Sequence, residues 1–345
     1  MRSIKVKYYF CGVNIHEKYI KRCIELAKNG LGTTYPNPLV GSVIVYQDRI
    51  IGEGWHQKYG GPHAEVHAIN AVKDKSLLPK ATIYVSLEPC SHHGKTPPCA
   101  DLIISHKIPN VVIGTADPFP AVDGSGIARM QKAGIEVTVG ILAAECRLLN
   151  KRFFTFHQKK RPYIILKWAE SADGFIAPKH KLQQKPVWIT NPYSRQLVHK
   201  WRTEEQAILV GTQTAIDDNP ALTSRDWAGN NPVRIAIDIN GRIPKENHIF
   251  DNQAPSLIYS KSEAGGVHRV TAIAAYLYEQ QIQSVIIEGG CITLQQFIDE
   301  DLWDEARIFR GPLAMHEGTK APILNQDKAV QQSISDDQLI FLKHD

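Results

Sequence analysis

Cysteine is scarce in this chain, six in 345 residues, which is too sparse for a disulfide framework and fits a reducing cytosol. Long apolar runs are missing. Nothing approaches the ~18 consecutive apolar residues of a membrane span, so no membrane partner is expected. The start, Met1 to Tyr9, carries Arg2, Lys5 and Lys7 but no apolar segment, so it does not read as a signal peptide. Together these features place the protein in the cytoplasm. Like charges never cluster into a run of five or more, and the net charge is a mild +5, so no nucleic-acid partner is expected. There is no internal repeat, no low-complexity tract and no G-x-G-x-x-G fingerprint. What remains is a globular composition, 43% hydrophobic and 22% charged, at a length that suits two domains.

Strands and helices alternate along the sequence. Ile15 to Asn29 sets Tyr19, Ile20, Cys23, Ile24 and Ala27 at helical spacing, and Gly30 and Gly32 follow as stops. Val40 to Val45 and Arg49 to Gly54 read as a hairpin; Thr82 to Leu87, Asn110 to Thr115 and Glu136 to Gly140 read as strands. Helices open at His63 and at Cys99. The basic, aromatic stretch 153–160 reads as the end of a connecting helix plus a linker. A second α/β region then begins at Tyr163, with strands at 163–168, 207–210, 233–239, 256–259 and 284–288 and helices over 191–202 and 292–300. The expected organisation is residues 1–152 (core about 14–150), a linker at 153–160, and residues 161–345. Both halves read as α/β layer folds, whose ligand sites lie just past strand ends.

One constellation carries chemistry: His63-Ala64-Glu65, then Pro89-Cys90, then Cys99. A His and two Cys can hold zinc, and three protein ligands leave the fourth tetrahedral position open, as in catalytic sites. Zinc lowers the pKa of a bound water to about 7, and Glu65 stands where it could move protons beside it. The order matches the H-x-E…P-C-x-x-C signature of zinc deaminases, in which the Glu is general acid/base and not a ligand. Here the cysteines are nine positions apart, with His92 and His93 inside the loop. A structural zinc protein would need a fourth protein ligand, and only those two histidines lie near. In the second half, Lys167 sits in a strand that reads as buried and so needs a partner. Gly289-Gly290, between a strand and a helix, is a turn that could cradle phosphate or could serve only as a helix entry.

The segments PNPLVGSVIV (36–45), HAEVHA (63–68) and LEPCSHHGKTPPC (87–99) closely resemble the deaminase half of the bifunctional riboflavin-biosynthesis deaminase/reductases. LKWAESADG (166–174), WIT (188–190), ILVGTQTAIDDNPALTSR (208–225) and IIEGG (286–290) resemble the reductase half. The resemblance implies a cytidine-deaminase-like three-layer α/β/α domain followed by a dihydrofolate-reductase-like α/β domain. It also implies a phosphoribosylaminopyrimidine substrate, zinc deamination by Glu65 with ligands His63, Cys90 and Cys99, and then NADPH reduction of the ribosyl to a ribityl chain. By the same resemblance Asn37, His56, His92 and Lys95 contact substrate in the first half. Lys167, Arg202, Leu222, Arg225 and Glu288 do so in the second. Ala169, Trp188, Thr214, Asp218 and Gly290 would hold NADPH, and a homo-oligomer would form through the reductase half. The chain departs from the family pattern at Ala172, at Pro186 and at Arg310-Gly311-Pro312, all in the second half. A monofunctional deaminase whose second half only binds or dimerises is the competing reading. A nucleic-acid base deaminase would instead need a basic, aromatic single-strand groove.

Overall fold

Period-two alternation in the strands builds the first unit. In this computed structural model, β1 (Gly41–Tyr46), β2 (Arg49–Trp55), β3 (Thr82–Leu87), β4 (Asn110–Thr115) and β5 (Glu136–Val139) form one sheet in the order β2-β1-β3-β4-β5. The structure describes residues 15–91, 97–118, 124–180, 184, 187–264 and 270–344. Val43, Val45, Tyr84 and Val112 point to one face and pack with Tyr19, Ile20 and Cys23 of α1 (Ile15–Ala27) and Cys146 of α5 (Ala143–Leu149). The residues between them, Ile44, Ile83, Val85, Val111 and Ile113, point the other way. They pack with Ala68 and Ile69 of α2 (Ala64–Ala71), Ile103 of α3 (Cys99–Ser105) and Met130 of α4 (Ser125–Lys132). A sheet apolar on both faces must be covered on both, which makes three layers, α/β/α.

The chain divides into two compact units, Met1–Lys151 and Arg152–Asp345. The stretch 153–160, read as the end of a connecting helix plus a linker, is mostly helix: α6 (Lys151–Lys159) buries Phe153, Phe154 and Phe156. Phe156 packs 4.5 Å from the Tyr278 ring, and Arg152 pairs with the fully buried carboxylate of Glu205. Three phenylalanines in four residues would be costly as solvated linker, and burial resolves the cost.

The second unit continues with β6 (Tyr163–Glu170), β7 (Phe175–Pro178), α7 (Pro192–Glu204), β8 (Ala207–Val210), α8 (Thr212–Asp218) and β9 (Val233–Ile237). There follow β10 (Ser256–Tyr259), α9 (Lys261–Ala264), α10 (Val270–Glu279), β11 (Ser284–Ile287), α11 (Cys291–Asp299) and β12 (Glu305–Arg310), then β13 (Gly318–Lys320), β14 (Val330–Ile334) and β15 (Asp337–Lys343). Its main sheet runs β10-β9-β8-β11-β6-β12-β15-β14. From β10 to β12 every pairing is parallel, so the carboxyl ends of β9, β8, β11 and β6 line one edge. Asn191 caps α7, its side chain accepting from Ser194 N at 3.0 Å, with Pro192 in the first turn.

Candidate active sites

Each residue of the first site stands at an element boundary. His63 occupies the N-cap position of α2 in extended conformation, and Glu65, in the first turn, is 3% exposed. Cys90 follows the end of β3, and Cys99 opens α3. The Cys99 amide donates to Cys90 Sγ at 3.3 Å, and the Ala100 amide donates to the Cys90 carbonyl at 3.1 Å. These two bonds close the inter-cysteine loop onto itself. His63 Nδ1 lies 3.5 Å from Cys90 Sγ and 3.3 Å from Cys99 Sγ, and all three atoms fall within 4.8 Å of one another.

That spacing fits zinc. Zn–N near 2.0 Å and Zn–S near 2.3 Å at tetrahedral angles give an N···S edge of about 3.5 Å. Nδ1 and two thiol sulfurs are ordinary zinc donors, and together they leave one tetrahedral corner open. Cys99 and His63 pull the Cys90 thiol down, while Cys90, together with burial, raises Cys99. Burial pushes Glu65 up to about 6, against the pull of His63, close to neutrality as a proton carrier requires.

His56 backs this site, its ring 5.4 Å from that of His63 and edge-on to it. His56 Nδ1 donates to the Pro62 carbonyl at 3.0 Å, which leaves Nε2 as the acceptor for the Asn37 amide, also at 3.0 Å. Burial lowers the His56 pKa and agrees with this neutral tautomer. The structure thus ties Asn37 to His56 and His56 to the segment before His63. His92 and Lys95 lie outside the described residues.

Sequence reasoning passed over Glu88. Its carboxylate is 4% exposed and accepts from four backbone amides, Asp117 at 3.3 Å, Gly124 at 3.1 Å, Gly126 at 3.0 Å and Ile127 at 3.2 Å. A side chain at Gly126 would meet the Pro89 carbonyl at 2.2 Å, so α4 presses directly on the Pro89-Cys90 peptide. A Glu immediately before the metal-like Pro-Cys pair was the available signal. Glu88→Ala leaves four amides without an acceptor at about 1–3 kcal/mol each where water cannot replace it. The expected result is a loss of several kcal/mol in urea unfolding, with zinc content falling below one per chain by metal analysis.

The second site is a cleft of about 810 Å³ along the carboxyl edge of the larger sheet. All ten residues expected there line it: Lys167, Ala169, Trp188, Arg202, Thr214, Asp218, Leu222, Arg225, Glu288 and Gly290. Residues up to 123 positions apart, Lys167 and Gly290, meet because the ends of β6, β8 and β11 are neighbours. Arg202 Nη2 donates to Glu288 Oε2 at 2.8 Å, and Lys167 Nζ stands 3.5 Å from Glu288 Oε1. Burial alone would raise Glu288, but Arg202 and Lys167 outweigh it and hold the carboxyl at about 2. Burial lowers Lys167. Among the described residues Arg202 Nε finds no hydrogen-bond partner although it is buried, as a polar atom that waits for a ligand would be.

The glycine turn fits a phosphate-bearing cofactor. Gly290 N donates to Thr214 Oγ1 at 2.8 Å, and a side chain on Gly289 would meet Thr293 at 2.9 Å. The turn is bare backbone leading into α11, whose first amides have no intrahelical acceptor. Trp188 is 58% exposed and lies under the Arg195 guanidinium, 4.8 Å away, a platform rather than a core residue. His199 was not foreseen: its Nδ1 accepts from the Arg225 amide at 3.2 Å and so orients the loop that carries Arg225. Of the departures, Ala172 N donates to the Leu313 carbonyl at 2.8 Å and Arg310 pairs with Glu170 at 2.7 Å, both as framework contacts. Pro186 lies outside the described residues.

Residues 13–115 match the cytidine and deoxycytidylate deaminase zinc-binding region, and residues 162–344 match the RibD C-terminal domain. The chain is 48% identical over 350 residues to the riboflavin biosynthesis protein RibD of Actinobacillus pleuropneumoniae, covering 93% of this chain and 92% of that one. The chain belongs to the RibD family. RibD of Aquifex aeolicus is 37% identical over 355 residues, covering 95% of this chain and 98% of that protein. A crystal structure of a Thermotoga maritima diaminohydroxyphosphoribosylaminopyrimidine deaminase/5-amino-6-(5-phosphoribosylamino)uracil reductase is similar along the same length. It superposes with a TM-score of 0.86 at 38% identity and covers 95% of this chain and 98% of that chain. Both RibD halves are therefore present here, each with a built site.

Proposed function

We propose that this RibD-family chain carries out two consecutive steps of riboflavin biosynthesis, deaminating 2,5-diamino-6-(5-phosphoribosylamino)-4-pyrimidinone with residues 1–152 and then reducing its ribosyl group with residues 161–345. Zinc serves the first half and NADPH the second. The carrying observation is that two intact and chemically different sites occur in one chain: a three-donor metal constellation with a buried Glu, and a long cleft with a glycine turn and paired charges.

In the first half His63, Cys90 and Cys99 are the zinc ligands. Zinc held there would acidify a water and act as a Lewis acid. Glu65 would take a proton from the attacking water and return it to the leaving amine, so that water enters, ammonia leaves, and a C–NH2 becomes C=O. Asn37 and His56, locked to each other, contact the base and ribose, and His92 and Lys95 the ribose phosphate. In the second half Ala169, Trp188, Thr214, Asp218 and the turn at Gly290 hold NADPH. The Arg202–Glu288–Lys167 group, with Leu222 and Arg225, orients the substrate, and Arg225 offers a guanidinium fork to its phosphate. Bound NADPH supplies a hydride for C1′ of the opened sugar.

Among the described residues no helix is long and apolar enough to cross a membrane. Residence in the cytoplasm, and a homo-oligomer through the reductase half, belong to the same proposal. Incubation of the purified protein with the diaminopyrimidinone tests it by mass spectrometry. A gain of about 1 Da without NADPH marks deamination, and a further gain of about 2 Da with NADPH marks hydride and proton addition. If only the first shift appears, the monofunctional reading takes its place.

A further inference from the structure

The loop after α8 carries Leu222 and Arg225 into the reductase cleft, and one face of α7 holds that loop. Arg202 and Thr203 lie three and four positions after His199, so the three side chains share a face. Arg202 Nη1 donates to the Thr223 carbonyl at 3.1 Å. The Arg225 amide donates to His199 Nδ1 at 3.2 Å. Gly229 sits over Thr203, where a side chain on the glycine would meet Thr203 Cβ at 2.7 Å. Ser224 N donates to Asn231 Oδ1 at 2.8 Å and closes the loop on itself. Arg202 also pairs with Glu288, and Thr203 Oγ1 donates to the Lys200 carbonyl. Of these three residues of α7, only His199 can change from acceptor to donor.

The tautomer of His199 follows from its partners. A backbone amide can only donate, so Nδ1 carries no proton and the ring proton sits on Nε2. Nε2 faces Asp226 Oδ2 at 3.3 Å. A second proton would set an N–H at Nδ1 against the Arg225 N–H, two donors with no acceptor between them, and that bond would be lost. The charged groups that face His199 are Arg202 from its own helix and Arg225 and Asp226 from the loop. Arg202 in turn pairs with Glu288, which Lys167 shares, and Arg195, one turn earlier on α7, covers Trp188. Burial, Arg202 and Arg225 lower the His199 pKa, against the pull of Asp226. The neutral ring that holds the loop is therefore the form present at neutral pH.

We propose that His199 is a positioning residue for the reductase substrate: its neutral imidazole holds Arg225 where that guanidinium meets the substrate phosphate, and protonation of the ring releases the Arg225 loop. This rests on the assignment of Arg225 to the phosphate made above. Substrate affinity then falls in acid, while the hydride step of bound substrate is unchanged.

Steady-state reduction of the deaminated intermediate by the full chain, from about pH 8 to about pH 5, tests it across the histidine range. His199→Asn sets an amide oxygen near the place of Nδ1 and cannot titrate. Its KM at about pH 8 should lie within about threefold of native, because the acceptor is kept. His199→Leu fills similar space without an acceptor. Its KM should be about 2- to 10-fold higher at every pH, the range for one hydrogen bond, with kcat within about twofold. Toward about pH 5 the native KM should climb about 3- to 10-fold more than that of the Asn variant. Comparing the two removes the titration of the substrate's own phosphate, which both proteins meet. Arg225→Gln should raise KM by itself, and adding His199→Leu to it should raise KM no further.

Parallel pH profiles for the native and Asn proteins overturn the role of His199 and leave the reductase cleft standing. So do a Leu variant that keeps the native KM or loses kcat instead, and additive losses in the double variant. If Arg225→Gln leaves KM unchanged, the phosphate assignment fails and this inference fails with it. A native protein that does not reduce the intermediate overturns the reductase reading itself.

Discussion

Glu65→Gln is expected to keep one zinc per chain and lose deamination by on the order of 10²- to 10⁴-fold, the range for removing a positioned general acid/base. The amide nearly matches the carboxylate in shape but can neither take a proton from water nor return it to the amine. The side chain stands close enough to His63 and Cys99 for both to lower its pKa against burial, yet it is not one of the three donors. Metal analysis should therefore find zinc unchanged, while Cys99→Ser in the same assay should lose it. Reduction of the deaminated intermediate supplied directly should be intact, because that chemistry belongs to the other cleft. Deamination within tenfold of the native rate would remove Glu65 from the mechanism.

Glu288→Gln should cost both stability and reduction. The substitution leaves Arg202 and Lys167, whose side chains are 11% and 14% exposed, without a countercharge. Removing one partner of a buried ion pair costs about 3–5 kcal/mol, which urea unfolding would read directly. Substrate binding in the cleft should weaken with it, since Arg202 loses the bond that aims it. The pH dependence has a definite sign. The folded carboxyl is held at about 2, below its unfolded value of about 4.3. Its contribution, about 3 kcal/mol by linkage, is complete above pH ~5 and is lost as pH falls toward 2. Lys167, lowered by burial, also binds fewer protons in the folded state than in the unfolded one, so its slope with pH has the same sign. In the Gln variant the acid limb of the stability–pH curve should flatten. An unchanged limb would show that Glu288 does not carry this linkage.

Much of the chemistry was legible in the residues. His63, Glu65, Cys90 and Cys99 could be assembled by order alone because a metal restricts its donors to few residue types. The motif positions also fell on helix starts and strand ends, where α/β folds place their sites. The continuous apolar run Val43, Ile44 and Val45 suits a strand covered on both faces. At 153–160 a helix end was legible but its full extent was not, because basic residues surround the phenylalanines; only the tertiary structure gives Phe153, Phe154 and Phe156 something to pack against. The strands at the carboxyl end went unread for a related reason. β14 carries Gln331 and Gln332 exposed on an edge, where pairing with β15 and not apolar patterning makes it a strand.

The second cleft marks the division between the two sources. Sequence by itself determined the residue types available and the order of the candidate metal donors and candidate proton carrier, because those depend on functional groups and local order. Tertiary structure decided that Lys167, Arg202 and Glu288 form one charged group and that Glu88 braces the Cys90 peptide. Those relations depend on which strand ends are neighbours in a parallel sheet, and strand order is set by long-range packing that no local pattern records.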